Sequence, residues 1–254
     1  MTQHMTLQVH RIGLMLPWLI GAALIVLAGT AQADHLPPGI QVIHIHMPAY
    51  LDRPPGSGPY SQADVADATE LAKLGDAEAQ ANLGIMLASR GEYQQAGYWY
   101  KRASDAGIDT AMYNMGTLYF NGQGVPQDYA TAHQWFERAA KRRNKYAEFQ
   151  LGMTYFTGQG VQKDPAQEIY WYEKAAKQGV PAAQYNLGVI YNNGDEVPQD
   201  YVRAYAWILL AQKGGLDAKD ALSAIAENLS ADQIKAAEKL SHSLAADPKP
   251  DTRQ

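Results

Sequence analysis

Residues 111–128 read Ala111-Met112-Tyr113-Asn114-Met115-Gly116-Thr117-Leu118-Tyr119-Phe120-Asn121-Gly122-Gln123-Gly124-Val125-Pro126-Gln127-Asp128, and the pattern returns twice further along the chain. Its alanine, its Met-Gly or Leu-Gly pair and its tyrosine recur as Ala147, Leu151-Gly152 and Tyr155, then as Ala183, Leu187-Gly188 and Tyr191. An upstream copy has Ala79 and Leu83-Gly84, with Leu87 at the tyrosine position and a loop shorter by four residues. Each copy is followed by a tryptophan (Trp99, Trp135, Trp171, Trp207) and, four residues on, by an alanine (Ala103, Ala139, Ala175, Ala211). Gly107, Gly179 and Gly215 close three of the units, whereas unit two has Arg143 followed by Asn144. The period is 36 residues between units two, three and four, and 32 between units one and two. A period of that length means stacked helical hairpins.

Within the first helix of each unit the alanine, the Leu or Met and the tyrosine lie four apart, so they form one stripe on a 3.6-residue helix. That stripe is where the partner helix packs. A glycine inside a helix costs about 1 kcal/mol, and its presence in every unit argues for a close helix crossing. The expected arrangement puts Gly116 under Tyr119 and Ala139 beside Trp135, with the rings filling the groove. The loops repeat as well: Asn121 to Asp128 returns as Thr157 to Asp164 and as Asn193 to Asp200. The first loop glycine suits a left-handed helix end, the valine covers the hairpin, and the aspartate caps the next helix. Pro165 stands at a first helical position, where its missing N–H does no harm. A phosphate-binding loop is the alternative, but no copy is followed by Lys-Ser or Lys-Thr and none follows a strand.

These residues resemble the Sel-one-like repeat family, a relative of the tetratricopeptide repeat with a longer hairpin loop. The resemblance covers about 75 to 215 and implies an all-α, right-handed α-solenoid of four hairpins with capping helices at both ends. The repeats fall at about 75–106, 107–142, 143–178 and 179–214, with caps at 63–74 and 215–245. Ala63 to Leu74 reads as the second helix of an incomplete repeat, and Leu216 to Ala226 as an unpaired first helix. Ser230 and Gln233 form a capping box for a last helix striped with Ile234, Ala237, Leu240 and Leu244. Three departures stand out: the short loop of unit one, Glu168 where the other units have Ala96, Ala132 and Ala204, and Glu196 in place of the second loop glycine of unit four.

The N-terminal part differs in kind. Arg11 precedes an almost wholly apolar run from Ile12 to Ala28, and Ala31-Gln32-Ala33 offers a cleavage site, so residues 1–33 read as a signal peptide; an uncleaved anchor is the alternative. Export, most simply to the periplasm, follows as an expectation, with secretion or membrane anchoring as variants. Prolines and glycines at 34–62 exclude a helix and suggest an extended tether. In it His44 and His46 share one side of a short alternating stretch. With only His35 nearby they lack a ligand set, so they are weak metal candidates and a solvated tether is the plainer reading. Residues 246–254, with Pro248 and Pro250, read as a frayed tail.

Composition narrows function. The 254 residues include no cysteine, which removes disulfides, thiolate metal sites and a thiol nucleophile. A net charge of −5 supplies no overall basic field for nucleic acid or anionic lipid. The family resemblance implies a binding scaffold with a protein or peptide partner, no shared catalytic centre and no cofactor; a monomer is expected. A cysteine-rich secreted branch is linked to β-lactam binding or hydrolysis, but its paired cysteines are missing here. By similarity to tetratricopeptide proteins, the concave face takes the positions three before, one after and four after the repeat glycine. These are Ala81, Ile85 and Ala88; Tyr113, Thr117 and Phe120; Phe149, Met153 and Phe156; and Tyr185, Val189 and Asn192. Such a lining suits an apolar or extended peptide; alternatively these side chains pack on the next repeat. His133, His242 and the acidic residues read as solvated positions or helix caps, with no paired acid and base.

Overall fold

The computed structural model describes residues 62–245. The signal segment, the proline-rich stretch with His35, His44 and His46, and the C-terminal tail lie outside the described residues. Eleven helices follow in chain order: α1 (Gln62–Lys73), α2 (Ala77–Ser89), α3 (Tyr93–Asp105), α4 (Asp109–Asn121), α5 (Tyr129–Ala140), α6 (Lys145–Thr157), α7 (Pro165–Lys177), α8 (Pro181–Asn193), α9 (Tyr201–Lys213), α10 (Lys219–Ala226) and α11 (Ala231–Ala245). The chain is an all-α solenoid: α2–α3, α4–α5, α6–α7 and α8–α9 are the hairpins, and each second helix also packs on the next first helix. No described helix is long and apolar enough to cross a membrane.

Local chemistry sets the ends. Gly122, Gly158 and Gly194 terminate the first helices in the left-handed region (φ 67°, 75° and 74°), each giving its N–H to a carbonyl four residues back. Asp128, Asp164 and Asp200 cap the following helices through backbone N–H groups of Ala130 and Thr131, of Ala166 and Gln167, and of Arg203. At the turns between hairpins the N–H groups of Ile108, Asn144, Val180 and Leu216 reach back five residues to Ala103, Ala139, Ala175 and Ala211 at 3.0–3.2 Å. Arg143 therefore keeps the turn that glycine makes elsewhere, at φ 64°, the one positive-φ non-glycine among the described residues. Leu216 is tied up in this turn, so α10 starts at Lys219 rather than at Leu216. The Ser230–Gln233 capping box forms, with hydrogen bonds of 2.8 and 3.3 Å.

The helix crossing differs from the expectation in one respect. The ring seated on the repeat glycine belongs to the residue after the tryptophan, not to Tyr119. A Cβ placed on Gly84, Gly116 or Gly152 would stand 2.5 Å from Tyr100, Phe136 or Tyr172, and Ile208 takes the place over Gly188. One residue along a helix turns its side chain by about 100°, which the linear spacing did not resolve. The ends are joined by the same means as the middle. Gln80 donates to the Ala72 carbonyl of α1 at 3.1 Å as Gln184 donates to Ala176 of α7 at 3.0 Å, so α1 meets α2 as a second helix meets the next first helix.

Candidate functional site

The nine concave-face positions of units two to four divide unequally. Tyr113, Thr117, Phe149, Met153, Tyr185, Val189 and Asn192 are all buried. The Tyr113 ring lies 5.9 Å from Phe136 and 6.1 Å from Tyr146, its hydroxyl shares a hydrogen bond with Gln150, and burial raises its pKa. Phe149 packs on Tyr172 at 5.7 Å. These seven are core residues of the stack, because each first helix is sandwiched between its own partner helix and its neighbouring units. Phe120 and Phe156 remain half-buried and in register, one repeat apart. Phe120 sits edge-on to Tyr129 at 5.0 Å, and its carbonyl accepts from Gln127 Nε2 at 2.9 Å.

Several polar residues expected at the surface are inside. His133 is 7% exposed; its Nδ1 stands 2.8 Å from Thr154 Oγ1, whose own proton goes to the Leu151 carbonyl. The imidazole therefore donates from Nδ1, and burial lowers its pKa, with Glu137 at 3.9 Å from Nε2 acting the other way. His242 is exposed, as expected. Glu148 is 1% exposed and is met by Gln178 Nε2 at 2.6 Å and Lys174 Nζ at 3.9 Å. Its pKa is still raised, because burial outweighs the Gln178, Lys174 and Arg143 side chains.

The two departures from the repeat pattern meet in space. In units two and three the second loop glycine presses on the start of the preceding second helix: a Cβ on Gly124 would stand 2.6 Å from the Tyr93 backbone, and Gly160 abuts Tyr129 in the same way. Glu196 occupies that place in unit four and acts electrostatically on Glu168, whose carboxyl is pushed up to about 9 by burial first and Glu196 second, with Lys163 opposing. Glu168 is 3% exposed, so it is a neutral acid at pH 7 inside the joint between hairpins three and four. Residues 28 apart announce no such meeting in the sequence; only the repeat alignment, overlaid on the loop contacts, reveals it. Among the described residues no group of three or more His, Cys, Asp or Glu side chains is placed to hold a metal ion.

With this geometry the class is defined: a helical-repeat solenoid whose repeats share one packing scheme. The Sel1 repeat family matches residues 77–108, 109–144, 145–180 and 181–215, and the chain belongs to it. The chain is similar to c5321, a protective antigen of uropathogenic Escherichia coli strains displaying an SLR fold, at 32% identity and a TM-score of 0.65 over 72% of this chain and 40% of that one. It thus spans well under half the length of that antigen. It is also similar to a Sel1 repeat protein from Oxalobacter formigenes, at 27% identity and a TM-score of 0.55 over 69% of this chain and 84% of that one. No curated protein matches the chain. Proteins of this family generally mediate protein–protein interactions and are typically non-catalytic.

Proposed function

We propose that the chain is a non-catalytic scaffold or adaptor of the bacterial cell envelope that holds a protein or peptide segment against the half-buried rings of Phe120 and Phe156. The observation that carries this reading is that those two rings stay half-buried, one repeat apart, when the other assigned positions of units two to four are consumed by packing. Aromatic rings at regular spacing suit an extended segment with apolar side chains, since each ring offers large contact area at small entropic cost. The export part of the reading rests on Arg11, the apolar run to Ala28 and Ala31-Gln32-Ala33.

The test compares the tagged chain beginning at Asp34 with its Phe120→Ser/Phe156→Ser variant in crosslinked capture from envelope extract. A turnover screen of the same sample serves as the enzyme control. The variant should lose its captured partner and keep the helical circular dichroism of the parent. Undiminished capture by the folded variant, or turnover by the parent, would sink the proposal.

A further inference from the structure

The second helices carry a feature that the repeat stripe did not mark. Three residues after the tryptophan of units one to three stand Arg102, Arg138 and Lys174. Each lies on a ring: Arg102 at 5.9 Å from Tyr98 and 5.8 Å from Trp99, Arg138 at 4.1 Å over Trp135, and Lys174 at 5.3 Å from Tyr170 and 4.9 Å from Trp171. Tyr98 and Tyr170 are 56% and 49% exposed, so these helices show water a cation resting on an aromatic surface.

Unit four shows what the same face does when it is covered. There the positions of Tyr170 and Lys174 are Ala206 and Leu210, both buried. The helices α10 and α11 pack on α9, and Lys213 Nζ reaches Ser241 Oγ on α11 at 3.5 Å. The C-terminal helices thus close this face on α9 with apolar contacts. On α3, α5 and α7 it stays open and cationic.

Charge is densest at the turn after α5. Lys141, Arg142 and Arg143 are exposed and Lys145 is half-buried. Among the described residues none of these four, nor Arg138, has a carboxylate within ion-pair distance, whereas Lys101, Lys177 and Arg203 do. The guanidinium of Arg142 lies over Gly107 of the previous turn, 2.8 Å from where a Cβ would stand, and Arg143 and Lys174 both act on Glu148. The cations of neighbouring units therefore form one row along this edge. The opposite, loop edge carries Asp128, Asp164, Asp195, Glu196 and Asp200.

We infer that the outer face of α3, α5 and α7, centred on Arg138, Arg142 and Arg143, docks an acidic segment of a partner protein. The guanidinium groups without a carboxylate partner would take its carboxylates, and the exposed rings of Tyr98 and Tyr170 its apolar side chains. A protein segment fits better than a nucleic acid or an anionic bilayer. Glu137 and Glu173 interrupt the row, which suits discrete carboxylates and penalises a uniformly anionic polymer or sheet. This inference rests on the protein-binding reading but uses residues separate from Phe120 and Phe156.

The experiment is fluorescence anisotropy at low ionic strength with the full chain. The probe is a short labelled peptide of glutamates interspersed with leucine, set against the same peptide with lysine for glutamate. The acidic peptide should bind, the lysine peptide should not, and added salt should weaken the complex. Arg138→Glu/Arg142→Glu should weaken it by about tenfold or more, and Arg138→Gln/Arg142→Gln by less; Phe120→Ser/Phe156→Ser should leave it unchanged. Equal binding by all variants, or no binding by the parent, overturns the inference and leaves the Phe120/Phe156 reading to its own capture test. Tighter binding to phosphatidylglycerol vesicles or to a single-stranded oligonucleotide, lost in the charge-reversed variant, overturns it in favour of that occupant.

Discussion

The joint between the second and third hairpins turns its charge outward, and the joint between the third and fourth turns its charge inward. The first places Lys141, Arg142 and Arg143 in water and accepts a positive φ at Arg143 in order to keep the turn. The second buries Glu168 beside Glu196 and leaves the backbone unstrained, with Gly179 at the matching turn position. Hairpins two and three, which lead into the two joints, share the same ring-over-glycine crossing and the same capped loops. One backbone scheme therefore tolerates opposite departures, and the cost falls on backbone conformation in one case and on carboxyl desolvation in the other.

The largest effects should come from what the hairpins leading into these joints share. Phe136→Ala and Tyr172→Ala each remove a fully buried ring from a glycine, and each should cost about 3–5 kcal/mol in urea unfolding. Clearly unequal losses would mean that the two crossings are not equivalent and that the comparison fails at its base.

Next comes the pH response, where the joints should diverge. Glu168 has a folded pKa of about 9, above its unfolded value, so its share of stability is complete below about 4.5 and is lost as pH rises through 9. Glu168→Gln should stabilise the chain at about pH 8, by on the order of 2 kcal/mol, and flatten the alkaline slope in thermal melts. His133 works in the other direction: its folded pKa is depressed by burial, so its share is present above about 6.5 and is lost as pH falls. Hydrogen exchange should then open α5 and α6 first in acid and α7 and α8 first in alkali. The same opening order at both extremes would remove this distinction.

The smallest effect sharpens the contrast. Arg143→Gly relieves a left-handed arginine and should raise stability by about 1 kcal/mol in the same urea assay while weakening capture of the acidic peptide. A loss of stability would mean that the arginine side chain, through Glu148, outweighs its own backbone strain.

Much of this was legible in the residue order. The caps at Asp128, Asp164 and Asp200, the helix-ending glycines and the Ser230–Gln233 box depend on residues within one turn of each other, and short spacing reports such contacts directly. Residue spacing points to Tyr119 over Gly116, where Phe136 sits, because neighbouring helical positions differ by a rotation that letter spacing does not carry. The burial of Tyr113 and Phe149 is not legible in the residue order, because an apolar second face reads the same whether it meets a ligand or the next repeat.

The sequence by itself determined the helical hairpins, their period and the family, because these follow from local propensities repeated at a constant interval. Only the tertiary structure decided which faces remain free and where charge resides. Net charge is a sum without positions, and Glu168 and Glu196, or Arg142 and Gly107, become neighbours only when the repeats are stacked at a definite rotation and distance.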